Sequence, residues 1–138
     1  MPGEIQRQLQ ITSAMKNLQQ VREFISQAIT DSALSESEKN RITLAVDESV
    51  ANVVKHGYGE DSEGIIEIEV LANDEKFQIA IMDTSQGFDL GHIQAPDMEE
   101  HVRKGRNSGL GIFIIRQIMD EIIYKSGPKN QLIMIKYI

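Results

Sequence analysis

The sequence predicts an α+β two-layer sandwich, with helices on one face of a mixed, mostly antiparallel sheet. Three observations lead there. Apolar residues switch between period-two and helical spacing in the order strand, helix, helix, strand, strand, loop, helix, strand, strand. Two pairs of consecutive strands are separated only by short turns, and strands joined that way pair antiparallel. No internal repeat, low-complexity tract or dividing linker interrupts the 138 residues, so 1–138 reads as one domain around one core.

Each element has its own signal. Residues 4–12 alternate, with Ile5, Leu9 and Ile11 on one face beside Arg7 and glutamines on the other, as in a strand near a sheet edge. From Met15, the residues Leu18, Val21, Phe24, Ile25, Ala28 and Ile29 recur at helical spacing, predicting a helix to about Asp31. Ser35 and Glu38 match a capping box, so a second helix starts there and runs to Gly57-Tyr58-Gly59. After a turn at 60–64, the stretches 65–72 and 77–82 read as a hairpin around Asn73-Asp74-Glu75, with Ile66, Ile68, Val70, Phe77, Ile79 and Ile81 facing the core. Residues 83–108 are polar and irregular, a length of connection usual for functional loops. Residues 110–122 form a strongly apolar stretch read as a helix, and 123–125 with 132–137 read as a last hairpin around Gly127-Pro128-Lys129-Asn130.

Composition narrows the function. Hydrophobic residues at 41% and charged residues at 25% exclude a disordered chain. The absence of cysteine excludes disulfides and thiolate zinc sites, and suits a reducing, cytoplasmic setting. The N-terminal residues do not have the pattern of a secretory signal, and no apolar run is longer than the one at 112–115, far too short to span a bilayer. A net charge of -7 argues against binding a nucleic-acid backbone. A nucleotide would have to be held by local donors or a metal rather than by the overall field.

Three segments could carry chemistry. In LAVDESVANVVKHGY, residues 44–58, Glu48, Asn52 and Lys55 share one helix face, while Ile42, Val46, Ser49, Val50 and Val53 form an apolar stripe apart from it. A carboxylate, a carboxamide and an amine in a row can take a proton, hold a hard cation and face a phosphate. The same pattern also fits the solvated face of an amphipathic helix. In IMDTSQGFDL, residues 81–90, a strand ends at Asp83, which could accept from an exocyclic amine or cap its own loop as an Asx turn. Gly87 would let a flat ring approach the backbone. In GRNSGLGIFIIRQ, residues 105–117, Gly109 and Gly111 sit at the mouth of a helix whose amides and dipole suit an anion, with Lys104 and Arg106 just upstream. This string fits neither a Rossmann loop nor a P-loop. His56, His92 and His101 lack metal-site spacing, and His56 reads as structural or peripheral.

Taken in order, Glu-x-x-x-Asn on a helix, Asp-x-x-x-Gly-Phe after a strand, and Gly-Leu-Gly opening a helix resemble the GHKL ATPase superfamily, with its histidine-kinase-like ATPase fold. Within it, AVDESVANVVKHGY and SGLGIFIIRQIMDEI are similar to the bacterial anti-sigma-factor serine/threonine kinases, over roughly residues 5–137. The resemblance implies that Asn52 binds a Mg²⁺ bridging the phosphates of ATP, and that Glu48 is the general base. It implies that Asp83 binds the adenine amine and that Gly87 shapes the adenine pocket. It implies further that Gly109, Leu110 and Gly111 present amides to the phosphates, with Lys104 and Arg106 on a lid.

Two positions depart from the family pattern. Ser85 stands where glycine is common, a cost if that residue needs positive φ, and Ser108 replaces a lid glycine. The implied function is a kinase that phosphorylates a serine or threonine on an anti-anti-sigma (STAS-type) partner and otherwise holds a sigma factor. Family members often form homodimers. The alternatives are a non-catalytic ATP/ADP-binding switch, a histidine-kinase catalytic module, and an adaptor that binds no nucleotide. The histidine-kinase module is disfavoured, since the chain has no room for a dimerising helical hairpin.

Overall fold

A computed structural model describes residues 4–59, 61–85 and 110–138. Five strands form one sheet: β1 (Ile5–Thr12), β2 (Ile65–Ala72), β3 (Lys76–Asp83), β4 (Glu121–Lys125) and β5 (Asn130–Tyr137), in the spatial order β1-β2-β3-β5-β4. All four ladders among the described residues are antiparallel, where a mixed, mostly antiparallel sheet was expected. Among the described residues, the α-helices α1 (Leu18–Thr30), α2 (Glu36–Asn52) and α3 (Leu110–Ile118) contribute to a single buried cluster with one face of the sheet. The expected two-layer α+β architecture is therefore observed.

Alternation decides which face of the sheet is covered. Ile66, Ile68 and Val70 of β2, and Phe77, Ile79 and Ile81 of β3, are all buried, while their neighbours are half-exposed or exposed. The register sets Ile68 against Ile81 and Val70 against Ile79, so the branched side chains meet in rows. From above, Ile25 and Ile29 of α1, Ile42, Val46 and Val50 of α2, and Ile115 of α3 close the layer. Phe77 is among the largest fully enclosed side chains. Phe77→Ala is expected to cost about 3–5 kcal/mol, read as a lowered midpoint of urea denaturation with an unchanged slope.

The α1 and α2 pair is clamped on its outer side, where Arg22 Nε and Nη2 donate to Asp47 Oδ1 and Oδ2 at 2.8 and 3.3 Å. The β2–β3 hairpin turns on Asn73, whose Oδ1 accepts from the backbone N–H groups of Glu75 and Lys76 at 2.8 and 3.0 Å.

Four local expectations are corrected. Ser35 is the N-cap residue of α2, but its hydroxyl lies 2.8 Å from the Ser37 hydroxyl rather than on a backbone N–H, so the capping box does not form. The second helix keeps α winding only to Asn52 and continues as a π-helix over Val53–Tyr58, ending at Gly59 with φ +63°. The last helix stops at Ile118 instead of 122: the Asp120 N–H bonds the Ile135 carbonyl at 2.9 Å, and Ile122 pairs with Met134 in β4. Asn130, expected in the final turn, is the first residue of β5.

Candidate functional site

The polar flank of α2 is presented by the packing of its other side. Ser49 is buried, and its hydroxyl donates to the Ala45 carbonyl at 2.7 Å and lies 3.2 Å from Met134 Sδ, which seats the helix over β5. Glu48 and Asn52 lie one turn apart away from that contact and are half-buried. Neither side chain makes a hydrogen bond or an ion pair with any of the described residues. Lys55, expected in the same row, falls in the π segment and is exposed. The wider π winding advances less per residue, so the α-helical row ends at Asn52. Windings of this kind recur at functional sites in proteins generally.

At the end of β3, Asp83 is only 5% exposed. Its Oδ1 accepts from the Ser85 backbone N–H at 2.9 Å, from the Ser85 hydroxyl, and from Asn130 Nδ2 at 3.1 Å. The Asx turn anticipated as an alternative use of Asp83 is therefore present, and it occupies one oxygen only. Oδ2 makes no hydrogen bond among the described residues. No described residue other than glycine has positive φ, so Ser85 is unstrained and the expected penalty against glycine does not arise.

The two places are joined. A Cβ on Gly57 would lie 2.5 Å from Ser85 Oγ and 3.1 Å from Ser85 Cβ, so the turn leaving α2 lands against the residue that braces Asp83. Tyr58 reinforces this: its hydroxyl donates to the Ile65 carbonyl at 2.7 Å and accepts from the Thr84 N–H at 3.0 Å. Gly64 leaves room for the Tyr58 ring, which would lie 2.4 Å from an added Cβ.

These groups suit a nucleotide accompanied by a hard cation. Asp83 Oδ2 is an acceptor for an amine, and Asn52 offers a carboxamide oxygen of the kind Mg²⁺ takes. Among the described residues, no group of three or more His, Cys, Asp or Glu side chains could hold a metal alone, so a cation here would draw most of its oxygens from phosphates and water. Also among the described residues, no helix is long and apolar enough to cross a membrane.

Of the other residues expected at the site, Leu110 and Gly111 are the first two residues of α3. Gly87, Lys104, Arg106 and Gly109 lie outside the described residues, as does Ser108. Sequence reading missed Asn130, which is 2% exposed and bonded to both Asp83 and Ser85. Its signal was the alternation itself, since Asn130 shares the buried face of β5 with Leu132 and Met134.

A family model described as the histidine kinase-like ATPase domain matches residues 11–136. The serine-protein kinase RsbW of Staphylococcus aureus is 37% identical over 100 residues, a match covering 69% of this chain and 63% of that protein. The chain therefore spans less than two thirds of the length of this relative. The solved structure of the RsbU and RsbW domains of a Mycobacterium tuberculosis protein superposes with a TM-score of 0.68 at 17% identity, over 96% of this chain and 32% of that one. The histidine kinase domain of a blue-light activated histidine kinase from Erythrobacter litoralis superposes with a TM-score of 0.56 at 16% identity, over 91% of this chain and 61% of that one. These two structures share the fold.

Proposed function

The chain belongs to the histidine kinase-like ATPase domain family, and on that premise we propose that it is a serine/threonine protein kinase that takes its phosphoryl group from Mg-ATP and regulates a sigma factor. The observation that carries this is the junction between α2 and the end of β3, where Gly57 packs on Ser85 and Ser85 braces Asp83. It couples an adenine-type acceptor to a helix bearing a carboxylate and a carboxamide that no described residue engages.

In this proposal Asp83 Oδ2 accepts from the adenine amine, and Gly87 shapes the pocket. Asn52 supplies one oxygen to Mg²⁺, which when bound neutralises phosphate charge. The amides of Gly109, Leu110 and Gly111, with Lys104 and Arg106, hold the phosphates. Glu48 takes the proton from the acceptor hydroxyl as its oxygen bonds to the γ-phosphorus and the bond to ADP breaks. Phosphoryl transfer depends on positioning and charge neutralisation rather than covalent help, which suits so sparse a set of groups.

The acceptor is proposed to be a serine or threonine of an anti-anti-sigma (STAS-type) protein, and the sequestered partner a sigma factor, as the resemblance to the anti-sigma-factor kinases implies; the relative's name as a serine-protein kinase supports the hydroxyl acceptor alone. Incubation of the purified chain with γ-labelled ATP and candidate partners co-purified from cells is the test. Label on a serine or threonine of a partner is the expected result. Calorimetric ATP binding with no phosphorylated partner by mass spectrometry would instead select a non-catalytic ATP/ADP-binding switch.

A further inference from the structure

Asp83 and Asn130 stand opposite one another in the β3–β5 ladder, and both are nearly sealed from solvent. Asn130 Nδ2 lies 3.1 Å from Asp83 Oδ1 and 3.0 Å from the Ser85 carbonyl oxygen. Both neighbours are pure acceptors, so the orientation of the amide follows from the network: turned over, its oxygen would face a carboxylate oxygen and a carbonyl oxygen. With the N–H and hydroxyl of Ser85, three donors converge on Oδ1, and none of the described residues donates to Oδ2. A buried carboxylate with one oxygen so fully used has its plane fixed and a single oxygen to offer.

We infer that Asn130 is a positioning residue for base recognition, holding Asp83 through Oδ1 so that Oδ2 faces the amino group of an aminopurine. The inference rests on the nucleotide-binding reading above. A 6-oxopurine such as hypoxanthine offers a carbonyl oxygen in place of that amine, and two acceptors brought together leave both unpaired. Preference for an aminopurine nucleotide over its 6-oxo counterpart therefore depends on Asn130, while phosphate binding does not.

The test is calorimetric titration of Mg-ATP and Mg-ITP into the full chain and its variants. The unaltered chain is expected to prefer ATP by about tenfold or more, the scale of one hydrogen bond to a charged group. Asn130→Ala should weaken ATP about tenfold and leave ITP within about twofold, so the preference collapses. Asn130→Asp sets a second carboxyl beside Asp83, and two such groups readily share one proton. Its ATP affinity should recover as the pH is lowered from about 8 toward about 5, where the introduced carboxyl, once protonated, can donate as the amide did. The unaltered chain should show no such recovery.

Equal losses for ATP and ITP in both variants would reduce Asn130 to a fold residue and overturn the inference, as would an unchanged ATP preference. If Asn130→Ala fails to fold by circular dichroism, the pH profile of Asn130→Asp decides. An unaltered chain that binds neither nucleotide contradicts the nucleotide-binding reading itself, a result separable from ATP binding that ignores Asn130.

Discussion

Glu48→Gln is expected to lower phosphoryl transfer to a partner hydroxyl by about 10²- to 10⁴-fold, the usual contribution of a positioned general base. ATP affinity should change little, because the substitution keeps shape and removes only the ability to take a proton. Glu48 is half-buried on the polar flank of α2 and its side chain makes no hydrogen bond or ion pair with a described residue, so the substitution breaks none. A fall in kcat at constant nucleotide affinity, followed by label incorporation, is the expected pattern. Transfer that continues at the original rate would remove Glu48 from the chemistry. An equal loss of nucleotide binding would move it from catalysis to binding.

Asn52→Ala should weaken ATP binding in the presence of Mg²⁺ by about 10²-fold, with almost no effect on the weak binding that remains in EDTA. The expectation follows from the donor set. No cluster of metal-binding side chains occurs among the described residues, so in the proposed site the Asn52 carboxamide oxygen would be the direct hold that those residues give the cation. Losing it exposes the phosphates to mutual repulsion and to imperfect placement. Asn52 is half-buried and its side chain makes no hydrogen bond with a described residue, so its truncation should leave thermal stability nearly unchanged in the absence of nucleotide. Calorimetry with and without chelator measures both arms, and equal affinity for the two proteins in Mg²⁺ would contradict the assignment.

Much of this arrangement was legible in the residues, for physical reasons that also explain what was not. Period-two patterning placed Ile66, Ile68, Val70, Phe77, Ile79 and Ile81 on the buried face, because a one-residue slip would turn that whole row to solvent. Helical spacing placed Glu48 and Asn52 on one flank of α2, and they lie there. The end of the last helix was less readable, since residues 110–122 are apolar nearly throughout and such a run does not distinguish a buried helix from a strand. What ends α3 is a distant partner, the Ile135 carbonyl that takes the Asp120 N–H. The π segment was likewise hidden, because it follows from where Gly57 and Tyr58 must land against Ser85, Thr84 and Ile65.

Asp83 shows how both readings of one residue can hold together. Its Asx turn with Ser85 and its capacity to accept from a ligand use different oxygens. Asn130, which lies 47 positions further along the chain and meets Asp83 only through sheet register, shares that Oδ1 with Ser85. A polar residue on the buried face of a strand was the available sign, and a neighbouring Gly-Pro turn drew Asn130 into the turn instead.

The most direct measurement is an NMR titration of the isotopically labelled chain with Mg-ATP, following backbone and side-chain amide signals. Saturable shifts confined to the later half of α2 around Glu48 and Asn52, the end of β3 at Asp83 and Ser85, and the start of β5 at Asn130 are the predicted result. Unchanged spectra, or shifts centred elsewhere, such as the groove between α1 and α2 lined by Arg22 and Thr43, would contradict it.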